Sequence, residues 1–222
     1  MLRILTGKSK DYYIKKYSFQ KFFSFDISSY IQVCEFEKGE FIFHEGSQPE
    51  CLYYMVEGKA KLYVTHKNGK VSLINFITSP SFMGEVELLN AQKYTKGIKT
   101  VTKTICFSLP YFDCKQKLLA DSVFLRELCL FLGNKMTLTT TRFSQTQAYP
   151  LENRLAAFIL LSSDDNFYKE KHTEISEYLG VSYRHLLYTI SQFCQSKIIK
   201  KSNKGYEIID IKRLQELARE VN

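Results

Sequence analysis

The sequence predicts an α+β chain: an antiparallel β-sandwich or barrel first, then helices, then a helical pair with a hairpin. Three observations carry this. Six short runs rich in β-branched and aromatic residues lie between Ile31 and Leu109, separated by turn residues. Helical spacing of apolar residues takes over after Pro110. The last third closes on two short helical patterns and a lysine-rich hairpin pattern.

Taken in order, residues 1–30 are rich in Lys and aromatics around KDYYIKKYSFQKFF and are expected to form short helices. IQVCEFE, EFIFHE, CLYYMVEG, KAKLYVTH, VSLINFI and TKTICFSL are the expected strands of the segment 31–110. Asn68-Gly69 between two of them predicts a type I′ hairpin, which needs φ > 0 at both central positions. In KAKLYVTH the alternation puts Ala60, Leu62 and Val64 on a buried face and Lys61, Tyr63 and Thr65 on a wetter one.

Residues 111–148 are expected to hold a linker and a long helix. Leu125, Leu128, Leu132, Met136, Thr139 and Phe143 are spaced 3, 4, 4, 3 and 4, one stripe on a helix. The spacing alone leaves two readings open: packing on the β domain, or the seam of a two-helix dimer. Tyr149-Pro150 marks the next boundary, because proline disfavours helix before it and suits the first turn after it. From 149 to 222 the reading is a helix at 150–161 with Leu151, Leu155, Phe158 and Ile159 inward, a polar loop SSDDNFYKEK, and then the helical pair, a hairpin and a final helix.

Composition narrows the function. The 222 residues carry 31 Lys+Arg against 23 Asp+Glu, a net +8, which points to an anionic partner such as nucleic acid. The longest apolar run, Leu155–Leu161, is too short to cross a bilayer, which needs about 20 residues. The N-terminal MLRILTGKSKDYY lacks the apolar core of a signal peptide. Cysteines at 34, 51, 106, 114, 129 and 194 form no CxxC pair, and Cys129 and Cys194 fall on the inward faces of their helices. A reduced, cytoplasmic compartment without membrane attachment is therefore expected. GxSxG, HExxH, P-loop and Rossmann glycine motifs are absent, and the four histidines show no metal-ligand spacing, so neither an enzyme nor a metal site is expected.

The functional signal lies in HTEISEYLGVSYRHLLYTISQFCQSKIIKKSNKGYEII. Thr173 is placed to cap a short helix, Gly180 to turn the chain and Ser182 to cap a second helix. Leu186, Ile190, Phe193 and Cys194 form the inward face of that helix. Outward come Arg184, Tyr188, Ser191, Gln192 and Gln195, with Tyr183 and His185 in the first turn. Between Ser182 and Tyr206 there is no Asp or Glu. A helix laid in a major groove needs such a face: Arg for guanine edges, Gln for adenine edges, hydroxyls for phosphates. Lys200, Lys201 and Lys204 on the following hairpin are placed to meet phosphates.

The strings FHEGSQPECLYYMVEGKAKLY, NGKVSLINF, FMGEVELL, NRLAAFILLS and YLGVSYRHLLY resemble the Crp/Fnr family of bacterial transcription regulators, in particular its YeiL-type branch. The resemblance runs from about Phe36 to Ile209. It implies a cyclic-nucleotide-binding-like β-roll, a long dimerisation helix and a C-terminal winged helix-turn-helix. It also implies a homodimer on a double-stranded DNA operator with RNA polymerase as partner, and it favours the dimer seam for the Leu125–Phe143 stripe. The family's recognition helix commonly begins Ser-Arg-Glu-Thr. Here Ser182-Tyr183-Arg184-His185 puts Arg184 in place of the base-reading Glu, so the family's usual half-site does not carry over.

The same resemblance places an effector pocket at Phe82, Met83, Gly84 and Glu85, with Glu85 accepting from a ribose hydroxyl. The family's Arg-Ser pair, which holds a cyclic phosphate, is replaced by Thr95 and Lys96. A buried cyclic phosphate without a guanidinium loses its bidentate charge-assisted bonds, and Lys is a poorer substitute. Thr139 and Thr140 fall where the long helix would meet the purine. Cyclic AMP is thus not the expected ligand, and the expected pocket is one altered for another ligand or filled by side chains such as Tyr94 and Met83. The N-terminal cysteine group of the oxygen-sensing members is missing, so no iron–sulfur cluster is expected. Two alternatives stay open: an effector-binding module acting through protein contacts, and a thiol or iron–sulfur redox sensor.

Overall fold

The computed structural model describes residues 3–219 and Val221, without the side chains of Arg142 and Thr146. The chain divides into two compact units. One holds the described residues up to Val64 together with Asn75–Met136; the other holds Thr65–Ile74 and the residues from Thr137 on. The division thus falls inside the long helix.

The first unit begins with β1 (Arg3–Leu5), α1 (Gly7–Tyr17) and a short 3₁₀ turn, Phe19–Phe22. Among the described residues nine strands, β1 to β9, contribute to two sheets. The others are β2 (Gln32–Phe36), β3 (Phe41–Phe43), β4 (Cys51–Glu57), β5 (Lys59–Thr65), β6 (Val71–Thr78), β7 (Ser81–Met83), β8 (Gly97–Thr100) and β9 (Thr104–Pro110). Their orders are β1-β2-β9-β4-β7 and β3-β8-β5-β6. Helices α2 (Glu85–Leu88), α3 (Tyr111–Ala120) and α4 (Ser122–Ala148) interrupt and follow them. Strand β4 explains why its sequence reads as an unbroken apolar run. Leu52, Tyr54 and Val56 enter one core with Phe19, Phe82, Phe107 and Phe124. Tyr53 and Met55 enter another with Phe36, Phe43, Met83 and Ile98. Both faces are covered, so alternation between apolar and polar is lost.

The six expected strands form, and β1, β7 and β8 join them unannounced. β1 and β7 are three residues each, and β8 carries a glycine and a lysine, too little pattern to read. The hairpin between β5 and β6 is also not type I′. Gly69 has φ +77 but Asn68 does not share the left-handed region. Gly69 N–H donates to His66 O and His66 N–H to Lys70 O, a longer turn that uses one left-handed residue.

Asp121 starts α4. One carboxylate oxygen accepts from Val123 N–H at 3.0 Å and the other from Ser24 N–H at 2.9 Å. The stripe then divides. Leu128 is 1% exposed and packs with Phe124 in the core of its own chain, and Leu125 and Leu132 pack against that core. Leu128 is thereby removed from any seam. Met136 and Phe143 are 70% and 68% exposed. The core-facing row is Phe124, Leu128, Phe131 and Lys135, spaced 4, 3 and 4, which a sequence reading that counts only apolar residues ends too soon. Cys129 is exposed rather than inward.

In the second unit, α5 (Leu151–Ser162) buries Leu151, Leu155, Phe158 and Ile159 as the spacing predicts. It is followed by β10 (Phe167–Tyr168), α6 (His172–Tyr178), α7 (Tyr183–Gln195), β11 (Ile199–Ser202), β12 (Gly205–Ile208) and α8 (Ile211–Arg219). The supposed loop SSDDNFYKEK contributes β10, so the hairpin is a three-stranded sheet, β10-β12-β11. Asn153 Nδ2 donates to Leu217 O at 2.9 Å and joins α5 to α8. Ser72 Oγ, in the Thr65–Ile74 segment, donates to the Glu177 carboxylate at 2.6 Å. Gln145 donates its side-chain amide to Val221 O.

Candidate DNA interface and effector pocket

The helical pair is built from local backbone chemistry. Helix α6 starts at His172 with Lys171 in the cap position, so Thr173 is not its cap; its carbonyl accepts from Ser176 Oγ at 3.0 Å instead. Gly180, at φ +64, makes the turn without a Cβ to clash, and Val181 N–H closes it on Ser176 O at 2.9 Å. Ser182 caps α7 as expected, accepting from His185 N–H at 3.2 Å. Arg154 of α5 fastens the turn from behind. Its Nη1 donates to Leu179 O at 2.6 Å and its Nε to Tyr149 O at 3.1 Å. Sequence reasoning missed Arg154, because a lone cation on an apolar helix reads as a surface residue.

Leu186, Ile190 and Phe193 of α7 are buried, as is Thr189, whose hydroxyl donates to His185 O at 3.1 Å. Cys194 is only half-buried. On the other side Tyr183, Arg184, His185, Tyr188, Ser191 and Gln195 are exposed, Tyr188 at 62%. Gln192 is half-buried, and its amide donates to Tyr188 Oη at 3.0 Å, which fixes both heads on one patch. Lys200 and Lys201 of β11 and Lys204 in the turn are exposed.

His172 lies at the joint of these parts. Its ring centroid is 5.7 Å from Tyr206 of β12 and 6.5 Å from Tyr183 at the start of α7. Burial, and then the charge of Lys201, lower its pKa below the ordinary histidine value. The folded state therefore favours neutral imidazole. Stability from this site is full above the unfolded value, about 6.5, and is lost as pH falls through the lowered folded value. A thermal melt of wild type against pH should fall on acidification more steeply than that of His172→Phe. Parallel profiles would dismiss the assignment.

The expected effector pocket is differently furnished. Phe82 and Met83 are core residues of the first unit. Tyr111 Oη donates to Gly84 O at 2.8 Å. Glu85 is 2% exposed, and its carboxylate pairs with Lys135 Nζ of α4 at 2.5 Å. Glu87 is half-buried, and burial raises its pKa. Thr95 is buried but committed to the β3–β4 turn. Its hydroxyl donates to His44 O at 2.9 Å and its N–H to Ser47 O at 2.9 Å. Lys96, Tyr94, Thr139 and Thr140 are exposed, Tyr94 at 50%.

Cys34, Cys106 and Cys114 are buried. Cys34 and Cys106 face one another across β2 and β9. Burial pushes the Cys34 thiol up to about 12 and the Cys114 thiol up to about 11. Among the described residues, no group of three or more His, Cys, Asp or Glu is placed to hold a metal ion. No helix among them is long and apolar enough to cross a membrane.

A cyclic nucleotide-binding domain model matches residues 33–121, and a Crp-like helix-turn-helix domain model matches 153–217. The chain is 42% identical over 205 residues to regulatory protein YeiL of Escherichia coli O157:H7, covering 92% of this chain and 94% of that one. The chain belongs to the Crp/Fnr family. As a Crp/Fnr protein it is a transcription regulator with a DNA-binding helix-turn-helix, not an enzyme. It is also 26% identical over 193 residues to the global nitrogen regulator of Synechococcus elongatus, covering 81% of this chain and 86% of that one. In fold it is similar to a Crp/Fnr-family regulator from Eubacterium rectale, at a TM-score of 0.69 and 16% identity, over 96% of this chain and 95% of that one. A Crp-family regulator from Thermus thermophilus gives 0.65 at 16% identity, over 83% and 96%.

Proposed function

We propose that the protein is a cytoplasmic homodimer that binds a double-stranded DNA operator sequence-specifically through α7, under allosteric control, with RNA polymerase as its protein partner. The observation that carries this is the exposed face of α7. It presents Arg184, Tyr188 and Gln192 without a carboxylate, on a helix positioned by Ser182 and Arg154 and flanked by the lysines of β11. Base edges are read by such heads, and phosphates by such lysines. Tyr183 and His185 in the first turn of α7 stand among the DNA-contacting residues. The homodimer rests on Met136 and Phe143, with Leu125 and Leu132 at the edge of the same row.

The regulator works without a resident cofactor. Thr95, tied to the β3–β4 turn, offers a cyclic phosphate no charge, and Lys96 is exposed. Burial holds the Cys34 and Cys106 thiols protonated, and oxidation needs thiolate.

Electrophoretic shift assays against fragments of the source genome, followed by footprinting, test this reading. At moderate salt a small set of fragments is retarded at far lower protein concentration than random DNA. Equal affinity for all fragments would overturn it and leave a module acting through protein contacts.

A further inference from the structure

Glu85, the carboxylate of the expected effector pocket, is 2% exposed, and a buried carboxylate costs several kcal/mol unless it is paired. Its partner comes from the same chain, fifty residues on. Lys135 Nζ reaches it at 2.5 Å while the lysine side chain remains 40% exposed, and the same ammonium lies 5.8 Å from the Phe131 ring centroid. Two features give the pair more than a local role. Lys135 continues the row Phe124, Leu128 and Phe131 by which α4 lies on the first unit, and it is the last member of that row before the unit ends at Met136. Met136, the next residue, begins the exposed part of the stripe. The pair thus ties α4 to the first unit one residue before that unit ends.

We propose that Lys135 is the built-in occupant of the effector pocket. Its ammonium takes the carboxylate of Glu85 in place of a diffusible ligand and holds the first-unit part of α4 in the orientation that presents Met136. DNA binding then needs no added nucleotide. The site vacated by shortening Lys135 is one for a small primary ammonium ion, since it offers a buried carboxylate and the space of an alkyl-ammonium stem. The inference rests on the proposed DNA-binding reading, and wild-type protein assayed without any ligand separates the two. If wild type retards no fragment specifically, that reading has failed and not this one.

Given a fragment that wild type binds, Lys135→Ala should lower operator affinity by at least about tenfold, the size of one charge-assisted hydrogen bond. Ethylammonium at roughly tens of millimolar, a concentration typical of weak ligands, should restore it. Tetramethylammonium, equal in charge but without N–H donors, should not. Undiminished affinity in Lys135→Ala would overturn the proposal, as would a loss that both ions or neither repair. Should Lys135→Ala fail to fold, the double variant Glu85→Gln/Lys135→Met leaves no unpaired charge. It should melt near wild type yet bind the operator more weakly, and wild-type affinity in it would overturn the proposal. Millimolar cyclic AMP should leave the melting temperature of wild type unchanged. A rise of several degrees that disappears in Glu85→Ala would show a diffusible occupant and equally overturn it.

Discussion

Glutamate at both Met136 and Phe143 is expected to convert the proposed homodimer to a monomer and to lower operator affinity by about a hundredfold or more, the range set by loss of a second linked site. The two side chains are largely exposed in a single chain, and a thermal melt of the variant checks that its fold survives. In a two-fold pairing of α4 they place carboxylates against their own copies, where like charges without water are costly. Leu128→Glu behaves differently. It inserts a carboxylate beside Phe124 in the core and lowers the melting temperature. Sedimentation at micromolar concentration checks the first result and thermal melting the second. A wild-type monomer would remove the seam altogether.

Arg184→Ala should relax base preference at one position of each proposed half-site, by roughly 1–3 kcal/mol for a lost bidentate contact. Gln192→Ala acts similarly at a neighbouring position and also releases Tyr188 from its 3.0 Å hydrogen bond. Lys200→Ala and Lys201→Ala weaken every sequence alike and lower the dependence of log affinity on log salt by about one unit each. Binding titrations on operator variants at several salt concentrations resolve the two classes. A uniform, sequence-independent loss for all four would erase the distinction between readers and anchors.

Much of the fold was legible because period and punctuation agree. The runs from IQVCEFE to TKTICFSL became strands, Pro110 and Pro150 stand before helices, and Ser182 caps the helix whose polar face it announces. Strands made by pairing rather than by pattern were not legible. Gly97–Thr100 is a strand because it lies between β3 and β5, and Phe167–Tyr168 because β12 runs beside it. The stripe on α4 was read as one surface because spacing reports angle and not what lies opposite. Leu128 and Met136 share a spacing rule but not an environment. Glu85 could be singled out from a short motif. Its partner could not, because a lysine fifty residues away on an amphipathic helix has no local signal, and neither does an arginine that ends on a carbonyl of another helix.

Because the unit boundary lies between Met136 and Thr137, the proline at 150 is a poor place to sever the chain. A DNA-binding fragment begun at Leu151 would discard the end of α4 and, with it, the Gln145 amide that meets the Val221 carbonyl. Begun at Thr137, it keeps that bond but still forfeits the Ser72 hydroxyl on Glu177, supplied by a segment far upstream. The half of the molecule that reads DNA is therefore discontinuous in the chain, and a gene cut once cannot encode all of it.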